Sequence, residues 1–456
     1  MLKKFGFEKT FLKSLMVLAI PIILQSLITS SLNLLDNLMI GSLGENEIAA
    51  VGLSNQFYMV FFHSVMGISM GAGIFISQLW GKKDIKQIHS FLGVSLVVSL
   101  LASLFFAGLA YIKPEIIMHI FTLDETVTSL GVGYLKMVAV SYILTSISLC
   151  YSVTLRSTEQ TKIPMYASLI GIVFNGVLNY LFIFGKFGAP ALGVTGAAIG
   201  TTVARIAELA FILYVVYFKK NIVAAPLNSL INFNWNLIKR FFKTAFPVIF
   251  NDIVWIAGIT AYSIAYAKLG TKATATMQIA TTINNMFNIV GVGIGCAAAI
   301  MIGNKIGAKL NDEAYEDAQK ITNFGTLSGV IMGAGVYLIA PIIAGFFKVS
   351  LETQENVVTI LRIMALFVPI RFFGIIQIIG VLRGGGDVLF AILIEITAVW
   401  GIGVPLAFIG ATYFKLPITS LYLLICLEEP FKVIATYPRL KSGKWIKDLT
   451  TPSYAH

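Results

Sequence analysis

Residues 163–217 read IPMYASLIGIVFNGVLNYLFIFGKFGAPALGVTGAAIGTTVARIAELAFILYVVY, two apolar runs parted by GKFGAP at 185–190. Each run exceeds the roughly 20 residues that a helix needs to cross the hydrocarbon core of a bilayer. Working outward, comparable runs fall near 14–40, 47–79, 91–112 and 127–155 ahead of this pair. Others follow near 239–266, 274–303, 321–345, 354–382, 388–410 and 417–438. Several are longer than a minimal crossing, which predicts tilt or short extensions into water.

The composition agrees. Of 456 residues, 57% are hydrophobic and 12% charged, with a mean hydropathy of +0.85. A soluble domain carries about 25% charge, so this chain is expected to face lipid. The net charge of +11 does not point to nucleic acid, because the basic residues cluster between apolar runs, where they signal topology. With the N-terminus inside, 23 lysines and arginines fall on cytoplasmic segments, among them Lys3, Lys4, Lys82 and Lys83. Six fall outside, including Lys113, Lys186 and Lys348. Both termini of a multi-pass protein in the plasma (inner) membrane are therefore expected in the cytoplasm. The opening MLKKFGFEKTFLKSLMVLAIPIILQSL lacks a small-residue cleavage site and reads as the first membrane helix, with no soluble domain ahead of it. Cys150, Cys296 and Cys426 are widely spaced within apolar segments, which suits buried free thiols rather than a disulfide framework or zinc site.

A shift of 226 residues lays one half of the chain on the other: Pro21 on Pro247, Leu43-Gly44 on Leu269-Gly270, Gly67 on Gly293, Gly81 on Gly307. One residue more places Leu155-Arg156 on Leu382-Arg383 and Pro190 on Pro417. The expected fold is an all-α integral membrane protein of about twelve transmembrane helices. They form two six-helix repeats related by a pseudo-two-fold axis along the membrane normal. The expected organisation is an N-lobe at 1–218, a cytoplasmic linker at 219–238, a C-lobe at 239–440 and a cytoplasmic tail at 441–456. Such repeats suit alternating access. A membrane enzyme would show loops rich in Asp, His or metal ligands, whereas His63, His89, His119 and His456 are scattered.

Ionisable groups within spans cost about 2.5–3.5 kcal/mol and tend to face a cavity or a partner. Asp36, in SLNLLDNLMIG, stands fifteen residues after Pro21; it reads as a functional acid or as an interfacial one near the helix end. Asn175 and Asn179 share a helix face, being four apart, and the next span carries Thr201 and Thr202. Carboxylate, amide and hydroxyl oxygens are hard ligands that suit alkali and alkaline-earth cations; the aspartate alone suits a proton, and the asparagines also suit interhelical hydrogen bonds. In the second half Asp252 lies beside Asn251, with Gln278, Asn284 and Asn285 on the following span. The repeat mate of Asp36 is Tyr262 and that of Asp252 is Ser26, so the lobes are chemically unequal. Arg205 and Glu208 are spaced to neutralise one another, Glu428 and Glu429 adjoin Lys432, and a pair between Arg371 and Glu395 is open. Trp255 and Tyr262 either line a drug pocket or face lipid.

Several stretches resemble the multidrug and toxic compound extrusion (MATE) family of secondary transporters. They are Pro21 with Asp36, then LGENEIAAVGLSNQ, LRSTEQTKIPM with its second copy LRGGGD at 382–387, and NGVLNYLFIFGKFGAPALGVTGAAIGTTVAR. The resemblance covers essentially the whole chain. It implies two six-helix lobes around a central cavity, and export of small amphipathic, often cationic, compounds in exchange for sodium or protons. No cofactor is expected, nor any metal beyond a sodium site, and the partners are substrate and membrane lipid, with no nucleic acid, for a monomer. The family's N-lobe cation site maps onto Asp36, Asn175, Asn179 and Thr201; some members carry aspartate at the position of Asn179. A C-lobe acidic pair of other members falls on Trp255 and Phe372 and does not transfer. Asp252, Gln278, Asn284, Trp255 and Tyr262 are the candidate substrate-cavity residues, and Pro21 the candidate hinge. The rival readings are a flippase of lipid-linked or polysaccharide precursors in the same superfamily and a membrane-embedded transferase.

Overall fold

A computed structural model describes residues 8–231, 234–347 and 349–451 of the chain. Lys3, Lys4, Lys348, His456 and the end of the expected tail lie outside the described residues. Six helices make the first repeat: α1 (Lys9–Gly41), α2 (Glu45–Gly81), α3 (Ile85–Ile112), α4 (Glu125–Ser157), α5 (Lys162–Phe184) and α6 (Gly193–Phe218). The second comprises α7 (Trp235–Ala267), α8 (Thr271–Gly307), α9 (Asn311–Gly345), α10 (Leu351–Arg383), α11 (Val388–Tyr413) and α12, which is broken into Ile418–Ile425 and Glu428–Ser442. The first eleven are long and apolar enough to cross a membrane, and the protein is an all-α, multi-pass membrane protein of twelve helices.

Local chemistry sets the ends of these helices. The Asp84 side chain accepts from the Gln87 amide to start α3, Asp124 accepts from Thr126 and Val127 to start α4, and Ser350 starts α10. Gly185, at φ 65°, closes α5 in the left-handed region open to glycine. The break in α12 follows from Pro430. Its missing N–H leaves the Cys426 carbonyl to the Glu429 amide at 3.1 Å instead, and Glu428 and Glu429 fill the first turn after the break. Two stretches wind as π-helix, Ile376–Arg383 within α10 and Thr397–Gly403 within α11. Such segments are rare and frequent at functional sites.

The repeat holds down to backbone detail. Lys83 and Lys309, 226 residues apart, both sit at φ 61° in the turns after α2 and α8. Glu159 and Gly386, 227 apart, have φ 64° and 87°, and Gly188 and Lys415 have 83° and 48°. Left-handed backbone is costly for lysine and glutamate, so its recurrence at a fixed offset reflects a shared turn geometry rather than residue preference.

The chain divides into two compact units. One is Leu24–Ile249; the other joins 250–451 to the first half of α1, residues 8–23. The switch in α1 comes just after Pro21, and that in α7 just after Pro247. In the first unit Phe61 stacks on Tyr142 with centroids 4.6 Å apart, within a core that includes Met118, Leu135 and Ala198. In the second, Leu15, Leu18 and Ile22 of α1 pack into a core with Ala298, Ile321 and Leu382. That core also takes in Trp445, beyond the end of α12, which is fully buried. Residues 443–449 of the expected tail are thus folded onto the α10–α11 loop: the Lys447 amide donates to the Gly385 carbonyl at 2.8 Å, and Asp387 receives Arg439 at 2.7 Å and Lys447 at 2.6 Å. The matching loop of the first unit is held the same way, by mutual side-chain hydrogen bonds between Gln160 and Asn221.

Candidate functional site

Three helices of the first unit bring polar side chains to one place. Asn179 on α5 donates through Nδ2 to Asp36 Oδ1 on α1 at 2.6 Å and to Asn175 Oδ1, one turn earlier, at 3.1 Å. Asn175 in turn donates to Thr201 Oγ1 on α6 at 3.2 Å. All four residues of the expected cation set are therefore joined in one chain, the asparagines fully buried and Asp36 partly so. The spacing that predicts a shared face for Asn175 and Asn179 is what lets one amide bridge to the other.

One end of this chain is unsatisfied. The Nδ2 of Asn179 is spent on the two oxygens, so its Oδ1 faces the other way, buried and without a hydrogen-bond partner. Flipping the amide would set carbonyl against carboxylate, so the hydrogen bond to Asp36 fixes the assignment. A buried orphan acceptor costs about 1–3 kcal/mol and persists where something else satisfies it. Gly200 on α6 keeps that end open, since a Cβ there would collide with Asn179 Oδ1. Beside the chain, Arg205 Nη1 meets Glu208 Oε2 at 2.6 Å, the pair expected from their spacing. Asp36 and Glu208 against Arg205 leave one negative charge. Orphan carbonyl, carboxylate and hydroxyl form an oxygen-only donor set beside that charge, which fits one sodium ion or one proton.

The second unit is organised differently. Asp252 on α7 stands 3.8 Å from Arg383 Nη2, which is 3.3 Å from Glu395 Oε2 on α11. Tyr262 donates to Glu428 Oε2 at 2.5 Å, and Arg371 donates to Glu429 Oε1 and to Asn284 Oδ1, each at 2.8 Å. Lys432 lies 3.4 Å from both Glu428 and Glu429. The open Arg371–Glu395 pair does not form: each side chain has other partners, because the break in α12 carries Glu429 to Arg371. The candidate cavity residues are distributed rather than gathered. Asp252 joins Arg383, Asn284 and Tyr262 belong to the Arg371–Glu428–Glu429 network, and Gln278 and Trp255 are exposed. Arg383 and Glu395 were legible as ionisable residues in or near spans, yet their partners, and the space at Gly200, depend on tertiary contact.

Twelve lipid-length helices in two repeats, with buried charges and a polar site inside a lobe, define a multi-pass membrane transporter. The MatE family model matches residues 21–181 and 247–409, one block in each repeat. The chain belongs to the MatE family, whose members are transporters. It is 24% identical over 440 residues to "Uncharacterized transporter YisQ" of Bacillus subtilis (strain 168), covering 96% of each chain. It is 24% identical over 438 residues to "Probable multidrug resistance protein NorM" of Thermotoga maritima, covering 95% of this chain and 93% of the relative. A solved MOP superfamily transporter from Pyrococcus furiosus shares the fold, with a TM-score of 0.85 at 19% identity over 95% of this chain and 96% of that one.

Proposed function

We propose that this protein exports small amphipathic, often cationic, compounds across the inner membrane, acting as a monomer in antiport with sodium or protons. The observation that carries the reading is the buried, unsatisfied Asn179 carbonyl beside Asp36. The printed name of the Thermotoga relative, a probable multidrug resistance protein, supports the cargo class. The bases of the C-terminal unit argue against a lipid-pyrophosphate flippase, because Arg371, Arg383 and Lys432 are each engaged by carboxylates.

In this reading one cation neutralises the surplus charge around Asp36, and the units rearrange where α1 passes Pro21. Proline leaves a helix carbonyl free and permits bending. The ion drives the cycle only through its different affinity for the two states. The test is efflux of a cationic dye from everted vesicles under imposed sodium or proton gradients. Asp36→Asn is expected to abolish gradient-driven transport at normal membrane abundance; full retention would remove Asp36 from the mechanism.

A further inference from the structure

The C-terminal unit carries its own copy of the arrangement seen at Asp36, built at different positions. Asn251 on α7, 1% exposed, donates through Nδ2 to Glu395 Oε2 on α11 at 2.7 Å. Its Oδ1 is buried and has no hydrogen-bond partner. The hydrogen bond to a carboxylate fixes the amide as it does for Asn179. Around it stand two carboxylates, Asp252 and Glu395, against one guanidinium, Arg383. This is the inventory of the first unit: an asparagine with an orphan carbonyl, two acids and one arginine.

It is not the repeat copy of the Asp36 site. By the 226 and 227 offsets, Asn251 and Glu395 fall on Gln25 and Ser168. Those two are themselves joined, Gln25 Nε2 donating to Ser168 Oγ at 3.1 Å. The second repeat has thus placed a carboxylate where the first keeps a neutral hydroxyl. The surroundings do not neutralise it. Lys432 feels the charge of Glu395, but it also serves Glu428 and Glu429, while Arg371 serves Glu429. Four carboxylates face three bases across α7, α10, α11 and α12. A net charge kept from water is expensive unless compensated. Among the described residues no three His, Cys, Asp or Glu side chains gather as a metal cluster, so the missing charge is monovalent.

We infer that Asn251, Asp252 and Glu395, beside Arg383, form a second monovalent-cation site that binds one sodium ion. A carbonyl oxygen and carboxylates are ligands of this kind, and the carbonyl itself takes no proton at neutral pH. The inference does not require the reading of Asp36. A competing arrangement is available: Arg383 Nε, also buried without an acceptor, could swing onto Asn251 Oδ1 and close the gap.

Equilibrium binding of radioactive sodium to the purified full-length protein in alkaline buffer separates these. Wild type is expected to hold two ions per chain, Glu395→Gln and Asp36→Asn one each, and the double variant none. Asp252→Asn, which leaves the Asn251–Glu395 hydrogen bond in place, is expected to weaken the second ion at least tenfold. Sodium is expected to raise the thermal midpoint of Asp36→Asn and not of the double variant. Folded Glu395→Gln and Asp252→Asn proteins that both keep the wild-type count and affinity would overturn the site, as would a wild type that binds no sodium. If Asp36→Asn keeps the wild-type count while Glu395→Gln loses an ion, the Asp36 reading fails and this one stands.

Discussion

At the scale of single residues, function rests on what surrounds one amide. Asn179 gives both its hydrogens to oxygen acceptors and leaves its carbonyl to a cation. Gly200→Ala is therefore expected to act on coupling without touching a charge. Its methyl would occupy the carbonyl's open side and displace one ligand, and a bond to an ion is worth about 1.5–3 kcal/mol. The half-saturating cation concentration for efflux should rise by about 10- to 100-fold. Gly176→Ala is the control: its methyl would meet only the flexible tip of Leu35, at 3.2 Å, so a small change is expected. Equal half-saturation in Gly200→Ala and wild type would show that the Asn179 carbonyl does not contact the ion. Asp36, Asn175 and Asn179 were legible in the sequence because polar groups stand out in an apolar helix. Gly200 was not, because an empty space has no letter.

At the scale of elements, helix interruptions matter most. Pro21 does not end α1, yet the helix changes compact unit within three residues of it. Pro21→Ala restores the lost hydrogen bond and should straighten the preference of α1. Transport is expected to slow several-fold while equilibrium cation binding stays within about twofold of wild type, because Asp36 lies four turns away. A parallel loss of binding would mean that the proline shapes the site rather than the motion. The spans themselves were readable to within a few residues, since membrane crossing is a one-dimensional property of length and apolarity. The main departures are physical. α9 begins at Asn311 rather than near 321, because the acidic, polar run ahead of the apolar stretch extends the helix into water. α12 breaks at Pro430. Partner choice was hidden: Arg371 meets Glu429 across two helices, and hydropathy along the chain contains nothing about which helix is adjacent.

At the scale of the molecule, the repeat predicts orientation as well as fold. Both halves have an even number of spans, and the basic residues favour a cytoplasmic N-terminus. Reporter fusions should therefore be active as alkaline phosphatase after Lys268, in the turn between α7 and α8, and inactive after Lys219, at the end of α6. The reverse pattern would invert the topology and with it the direction of export. The offset of 226 to 227 residues was visible in the sequence and recurs in the left-handed turns. The distribution of charge was only half visible. Tyr262, mate of Asp36, returns an acid to the equivalent place by binding Glu428, so the asymmetry lies in which helix supplies the carboxylate.

The sharing of α1 between units also constrains biogenesis. Its first half is made at the start of synthesis, but the rest of the unit that receives it begins at Phe250. At about 5–20 residues per second, the ribosome needs on the order of 10–45 s to deliver that partner. During this interval Leu15, Leu18 and Ile22 have only lipid, chaperone or insertion machinery to meet. The last helix and Trp445 come later still. The first segment to enter the membrane is thus among the last to find its native neighbours, and a ribosome stall before Phe250 leaves it orphaned.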